Sequence, residues 1–389
     1  MKGGGPVGIR GVVRRAAAAA LAVLIGVVLA EGLARAYARV GGEPGRRLAA
    51  RDPLAVVYEP YGNFAYRQRP GLTERYYNGT RAVWNSLGYR GPVVSVDKPQ
   101  HVYRIVLLGE STTEGYGVND DDTIDAHMRR LLRGRFPGGC FEVVNLAVGG
   151  YDSYQIYERM RVDGTRLSPD LVVINSGIND VRNAQFANLT APPDPRTLIW
   201  EWVMQRMREE STHGRGLWTT ARHYSYLARM PGYIRELWRQ RQELKAIHVA
   251  EPDPSGVDYF ETNIVRTTRL ALGKGSAVIL STPPSALSLR NKPSDPPEKS
   301  YWLRDAATTE AYRQRLATRM HDIAARERAS GQRVTYVSHR LPVEEFLDDA
   351  HLTSAGNLSV ARSLVDAATA SIASTVLQPP AGDVACPGS

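Results

Sequence analysis

The chain has 389 residues, 43% of them hydrophobic, which suffices for one large α/β domain with an appendage or for two modest domains. Its formal charge is +9, and much of the excess lies before residue 52, where Lys2, Arg10, Arg14, Arg15 and later arginines face only Glu31 and Glu43. Later charges are mixed in sign with no basic stripe interleaved with aromatics, which argues against a nucleic-acid partner, and two cysteines with no Cys-x-x-Cys cannot make a metal site alone.

Residues 16–34 form an apolar run broken only by Glu31. At about 1.5 Å per helical residue this run nearly crosses a hydrocarbon core of about 30 Å. The basic leader should stay in the cytoplasm, so the rest of the chain is expected on the extracytoplasmic side of the cell membrane. A cleaved signal peptide is the competing reading. Ala34-Arg35-Ala36 and Ala36-Tyr37-Ala38 follow the small-x-small rule loosely, but Arg35 and Glu31 make a poor cleavage region. In an oxidising compartment Cys140 and Cys386 could pair; two unpaired thiols are the plainer expectation.

Residues 39–100 read as a juxtamembrane region with small strands, such as the one at Ala82-Val83-Trp84, and no core of their own. From residue 101 short apolar runs alternate with helical stretches. Strands are expected at 104–108, 142–146, 171–175, 276–281 and 334–337. Helices are expected at 121–133, 152–167, 258–272, 306–330 and 354–376. Residues 188–256 break the rhythm as a helical insertion rich in Trp, Arg and Tyr, with a Pro-rich loop at 191–195. It is expected to cap or wall a substrate site, or to pack at the membrane. Strands alternating with helices give a parallel sheet covered on both faces. The division expected is 1–38 leader and anchor, 39–100 juxtamembrane, 101–378 catalytic-type domain and 379–389 disordered tail.

Parallel strands point their carboxyl ends at one edge of the sheet, where ligands bind. Four residues fall there or in the last loop. Ser111 lies in Gly109-Glu110-Ser111, and Gly150 ends Ala147-Val148-Gly149-Gly150. Asn179 lies in Gly177-Ile178-Asn179-Asp180, and His351 closes Asp348-Asp349-Ala350-His351. Singly, each has a bland reading. A loop serine commonly caps a helix, a lone histidine is commonly structural, and Asn and Gly commonly make turns. Together they supply a hydroxyl nucleophile, a base and oxyanion donors: the backbone N–H of Ser111 and Gly150 and the side-chain amide of Asn179. Asp348, three residues before His351, can reach the imidazole and fix its tautomer; Asp349 is the less suitable partner. The glycine-rich stretch 109–117 lacks the Gly-Lys-Ser/Thr ending of a phosphate loop, so a nucleotide site is rejected.

These four segments resemble the four blocks of the SGNH (GDSL-like) hydrolase superfamily. Phe346, Leu352-Thr353, Gly356-Asn357 and the segment Asn85-Ser86-Leu87-Gly88-Tyr89-Arg90-Gly91 resemble its bacterial members with an N-terminal membrane segment. The resemblance implies a three-layer α/β/α, flavodoxin-like fold with a five-stranded parallel sheet, plus an N-terminal transmembrane helix. It implies Ser111 as nucleophile, His351 as base, Asp348 as its partner, and Ser111, Gly150 and Asn179 as the oxyanion hole. The expected function is a serine esterase acting on carboxylic (O-acyl or O-acetyl) esters of an envelope glycan, a lipid or a small molecule, with no metal and no organic cofactor. An O-acyltransferase would use the same acyl-serine. A non-catalytic binding module is disfavoured by the intact Ser111, Asn179 and His351. Glu110 stands where the family has aspartate; it is expected to support the turn, with Glu110→Asp nearly silent.

Overall fold

A computed structural model describes residues 9–42, 45, 48, 57–61, 65–76, 78–190, 217–246, 251–295 and 303–376. The loop at 191–195, much of the insertion before Leu217, the tail at 379–389 and Cys386 lie outside them, and so does any pairing of Cys140 with Cys386. The chain divides into two compact units, residues 1–55 with 213–239, and 56–212 with 240–389.

In chain order, α1 (Ile9–Val40) is followed by two antiparallel hairpins, β1 (Tyr58–Tyr61) with β2 (Ala65–Gln68) and β3 (Thr73–Arg75) with β4 (Arg81–Val83). Next come β5 (Val102–Gly109), the one-turn α2 (Ser111–Glu114), α3 (Ile124–Arg135), β6 (Cys140–Asn145), α4 (Ser153–Val162) and β7 (Leu171–Asn175). The insertion contributes α5 (Leu217–Tyr224) and α6 (Tyr226–Ala246). Then follow α7 (Ser255–Gly273), β8 (Ala277–Thr282), α8 (Leu287–Arg290), α9 (Ala306–Ala329), β9 (Val334–Ser338) and α10 (Ser354–Val376).

The five-stranded sheet has the order β6-β5-β7-β8-β9, and every pairing is parallel. Successive side chains of a strand face opposite sides, and both sides here are covered. Val106 and Leu108 of β5 pack with Ile156 and Met160 of α4, Phe260 and Ile264 of α7, and Leu316 and Met320 of α9. Ile105 and Leu107 pack on the other face with Met128 and Leu132 of α3 and Leu364, Val365 and Ile372 of α10. This is the three-layer α/β/α arrangement, and it explains why β5, β7 and β8 are buried along their whole length and do not alternate between buried and exposed positions. Full burial of each such side chain contributes about 1.5–3 kcal/mol.

Two helix boundaries differ from expectation for identifiable reasons. α3 starts at Ile124 because Thr123, in extended conformation, accepts the Ala126 N–H as N-cap, while Asp120–Asp122 form a separate 3-10 turn. α4 stops at Val162 and Gly164–Leu167 continue as a 3-10 turn. Gly164 is a weak helix former there.

In the smaller unit, α1 is long and apolar enough to cross a membrane, with a mean hydropathy of 2.3 in its apolar window. Glu31, the one charge inside that run, has partners in the insertion. Its carboxylate accepts Ser225 Oγ at 2.7 Å, Leu227 N at 2.9 Å and Tyr226 N at 3.1 Å. These N–H groups open α6, so Glu31 satisfies donors that a helix start leaves unpaired.

Candidate active site

Sheet order locates the crevice. β6 and β7 flank β5, and successive connections leave β5 in opposite directions, so the carboxyl end of β5 is the topological switch point. Ser111 lies two residues past the end of β5, after Glu110. Gly109 permits the sharp exit: a Cβ there would sit 2.7 Å from Asn175 O of β7. α2 is a single turn that ends at Gly115 in the left-handed region, φ 89°.

Ser111 Oγ lies 2.9 Å from His351 Nε2. His351 Nδ1 donates to Asp348 Oδ2, also at 2.9 Å. The other oxygen of Asp348 accepts the N–H groups of Ala350 at 2.9 Å and His351 at 2.8 Å, so a tight Asx-type turn holds the carboxylate in register with the imidazole. Tyr116 covers one side of the ring, with centroids 4.6 Å apart. Asp349 faces elsewhere: its carboxylate meets Asn291 Nδ2 and its carbonyl accepts the Ala286 N–H. Such a chain can carry the serine proton to the imidazole while the carboxylate stabilises the imidazolium.

Among the described residues, neither the Ser111 N–H nor the Gly150 N–H donates to a protein acceptor. Asn179 is buried and spends one amide hydrogen on Tyr151 O at 2.9 Å, leaving the second for a ligand.

Glu110 does more than support a turn. Fully buried, it accepts the N–H groups of Gly177 at 2.6 Å, Asn179 at 2.8 Å and Ile178 at 3.0 Å, and so ties the loop after β7 to the nucleophile turn. Burial pushes its pKa up to about 7 against the pull of those three donors. Aspartate, one methylene shorter, would hold these donors less closely from this backbone, which argues against a silent Glu110→Asp. Asp180 accepts Ser153 N at 3.0 Å and Ser153 Oγ at 2.6 Å, joining the same loop to the start of α4. Burial, then the charges of Asp152 and Glu110, drive its pKa well up.

Four further residues, Arg90, Glu114, Tyr66 and Gln68, do not stand out as site residues in the sequence. Arg90, buried, spans the exit of α2 by donating to the carbonyls of Glu114 at 3.0 Å and Val118 at 2.6 Å, to Gly115 O, and to Asp120 at 3.1 Å. Glu114, also fully buried, receives Gln68 Nε2 and lies against Gly149; burial pushes its pKa up to about 8. Tyr66 OH donates to Gly149 O at 3.1 Å. Only Arg90 had a signal, its place in the segment ahead of the first strand. Tyr66 and Gln68 lie on a hairpin whose pairing with this turn no local pattern encodes. Among the described residues no three His, Cys, Asp or Glu side chains converge as a metal site would require.

A doubly covered parallel sheet with a Ser–His–Asp chain at its switch point is an arrangement that can carry out acyl-group chemistry. The family model "GDSL-like Lipase/Acylhydrolase family" matches residues 107–358, and the chain belongs to that family. It is an ester-hydrolysing enzyme. Among solved structures, the chain is similar to a GDSL-like lipase from Bacteroides thetaiotaomicron, at 18% identity over 69% of this chain and 88% of that one, TM-score 0.37. It is also similar to an acetylxylan esterase from Geobacillus stearothermophilus, at 16% identity over 68% of this chain and 93% of that one, TM-score 0.38. No curated protein matches the chain.

Proposed function

We propose that the chain is a membrane-anchored serine esterase that removes O-acyl groups, acetyl among them, from an envelope glycan, a lipid or a small ester on the extracytoplasmic side. The single observation that carries this reading is the unbroken chain from Ser111 Oγ through His351 to Asp348, with both links at 2.9 Å. His351 Nε2 takes the proton as Ser111 Oγ attacks the acyl carbon. The oxyanion that forms accepts hydrogen bonds from the N–H groups of Ser111 and Gly150 and the amide of Asn179. Protonated His351 then gives its proton to the leaving alcohol, and an acyl-Ser111 remains. Water enters, His351 takes its proton, and collapse of the second oxyanion releases the acid and restores the serine. A sugar hydroxyl in place of that water would make the same cycle an acyl transfer. The apolar run 16–34 of α1, with Arg10, Arg14 and Arg15 in the helix ahead of it, supports the anchored, exported arrangement.

The test is turnover of chromogenic acetyl, butyryl and longer esters and of an acetylated polysaccharide by the full chain. Ser111→Ala and His351→Ala should each lower kcat by roughly four orders of magnitude, because such a set acts as one unit. Retention of a tenth of the wild-type rate in either would sink the assignment. Adding a sugar acceptor separates the two fates of the acyl group: product ester at the expense of free acid marks transfer.

A further inference from the structure

We propose that Tyr66 of the β1–β2 hairpin, upstream of the family-matched segment and backed by Gln68 and Glu114, clamps the Gly149–Gly150 peptide so that the Gly150 N–H faces the oxyanion. This deepens the esterase reading and rests on its assignment of Gly150 as an oxyanion donor.

Val148 to Tyr151 form a tight turn, closed by Tyr151 N donating to Val148 O at 3.2 Å. Gly150 has φ 85°, whereas Gly149 is outside the left-handed region. A positive φ at the third position alone is the mark of a type II turn. Types I and II differ by a flip of the central peptide, here the Gly149 C=O and Gly150 N–H. In a trans peptide these two groups point in opposite directions. Two consecutive glycines lack the side chains that would restrain the flip. One orientation offers the oxyanion an N–H; the other would offer it a carbonyl oxygen, which repels.

Tyr66 selects the first. Its hydroxyl donates to Gly149 O at 3.1 Å in a buried setting, so the Gly150 N–H is held on the far side of the peptide. Glu114 packs against Gly149, and Gln68 Nε2 donates to Glu114. The packing is close: a Cβ on Gly149 would lie 2.9 Å from Glu114 Oε2 and 3.8 Å from Ser111 Cβ. Tyr66 is itself held by Tyr151 OH donating to its carbonyl, and its ring meets the rings of Tyr58 at 4.9 Å and Tyr151 at 5.3 Å. Tyr151 O in turn accepts Asn179 Nδ2. Two of the three oxyanion donors therefore depend on one turn, and the hairpin sets that turn. Tyr66 and Gln68 are positioning residues that act through Gly149.

The experiment compares full-length wild type, Tyr66→Phe and Tyr61→Phe on a chromogenic acetyl ester, with inhibition by an arylboronic acid that forms a tetrahedral adduct on serine. Tyr66→Phe should lower kcat by about 10- to 100-fold, hold KM within about twofold, and weaken the boronate by the same factor as kcat. Tyr61→Phe removes another bond of the hairpin, from Tyr61 OH to Asp163 Oδ1 at 2.5 Å, without touching the turn; it should keep the wild-type kcat. If Tyr66→Phe does not fold, Gln68→Met is read by the same three criteria. Ser111-dependent turnover with Tyr66→Phe at the wild-type rate would overturn the clamp alone, as would an equal loss in Tyr61→Phe. Wild type without Ser111-dependent turnover would overturn the esterase reading and the clamp with it.

Discussion

At the scale of single residues, Glu110 shows what a one-methylene change does. Its two oxygens hold three N–H groups of the loop that carries Asn179. Glu110→Gln replaces one acceptor by an NH₂ that faces a donor, and Glu110→Asp falls short of both. We expect kcat to drop about 10- to 100-fold for Gln and roughly tenfold for Asp, with the nucleophile still labelled by a fluorophosphonate, because the chain to His351 is untouched; the magnitudes follow from a partly displaced oxyanion donor. A silent Glu110→Asp, measured as kcat on the same acetyl ester, would restore the simpler view of this residue as a turn former. On the proposed mechanism Asn179→Ala removes one oxyanion donor and should cost about 10² to 10³ in kcat. A change in KM alone would make Asn179 a ground-state contact. The places of Ser111, Gly150, Asn179, Asp348 and His351 in the fold were legible in the sequence because each sits next to its own strand or loop signal. Tyr66, Gln68 and Glu114 were not: a buried tyrosine on a short hairpin looks like any packing residue until the turn it touches is known.

At the scale of elements, the sheet was the most legible part. β7 was expected at 171–175 and is found at Leu171–Asn175, and α10 was expected at 354–376 and is found at Ser354–Val376. Buried parallel strands carry their signal in composition alone. The hairpins and α2 were harder, because elements of three or four residues owe their form to neighbours. Arg90 illustrates this: from the segment after β4 it satisfies three carbonyls at the exit of α2. Arg90→Met should lower unfolding stability by roughly 3 kcal/mol, the usual cost of breaking a buried charged network, read as a lower urea midpoint. An unchanged midpoint would mean that water replaces the guanidinium. Glu31 makes a parallel case in the smaller unit. Glu31→Leu keeps α1 apolar but strips the cap of α6, at a cost of about 1 kcal/mol. Faster amide exchange over residues 225–227 with unchanged membrane partition is the expected outcome.

At the scale of the whole molecule, burial of acids makes stability depend on pH in an unusual direction. Glu110 and Glu114, ordinarily near 4.5, are pushed up to about 7 and about 8 by burial. Groups raised in the folded state bind protons more tightly there than in the unfolded chain, so their contribution is fully present below about pH 4.5 and is lost as pH rises through 7 and 8. Glu114→Gln should therefore gain melting temperature relative to wild type as pH rises from 5 to 9, by a few degrees at the alkaline end. A difference that stays constant across that range, followed by scanning calorimetry, would show that Glu114 is ionised throughout. The sequence by itself determined the layered α/β architecture and the apolar α1, because both follow from local periodicity and composition. It also determined which four segments meet, because parallel strands send their carboxyl ends to one edge. Only the tertiary structure decided which way the Gly149–Gly150 peptide faces, that Glu110 reaches across to the loop of Asn179, and what Glu31 caps. Each of these depends on hydrogen bonds between groups tens to hundreds of residues apart, and no short-range pattern in the chain records them.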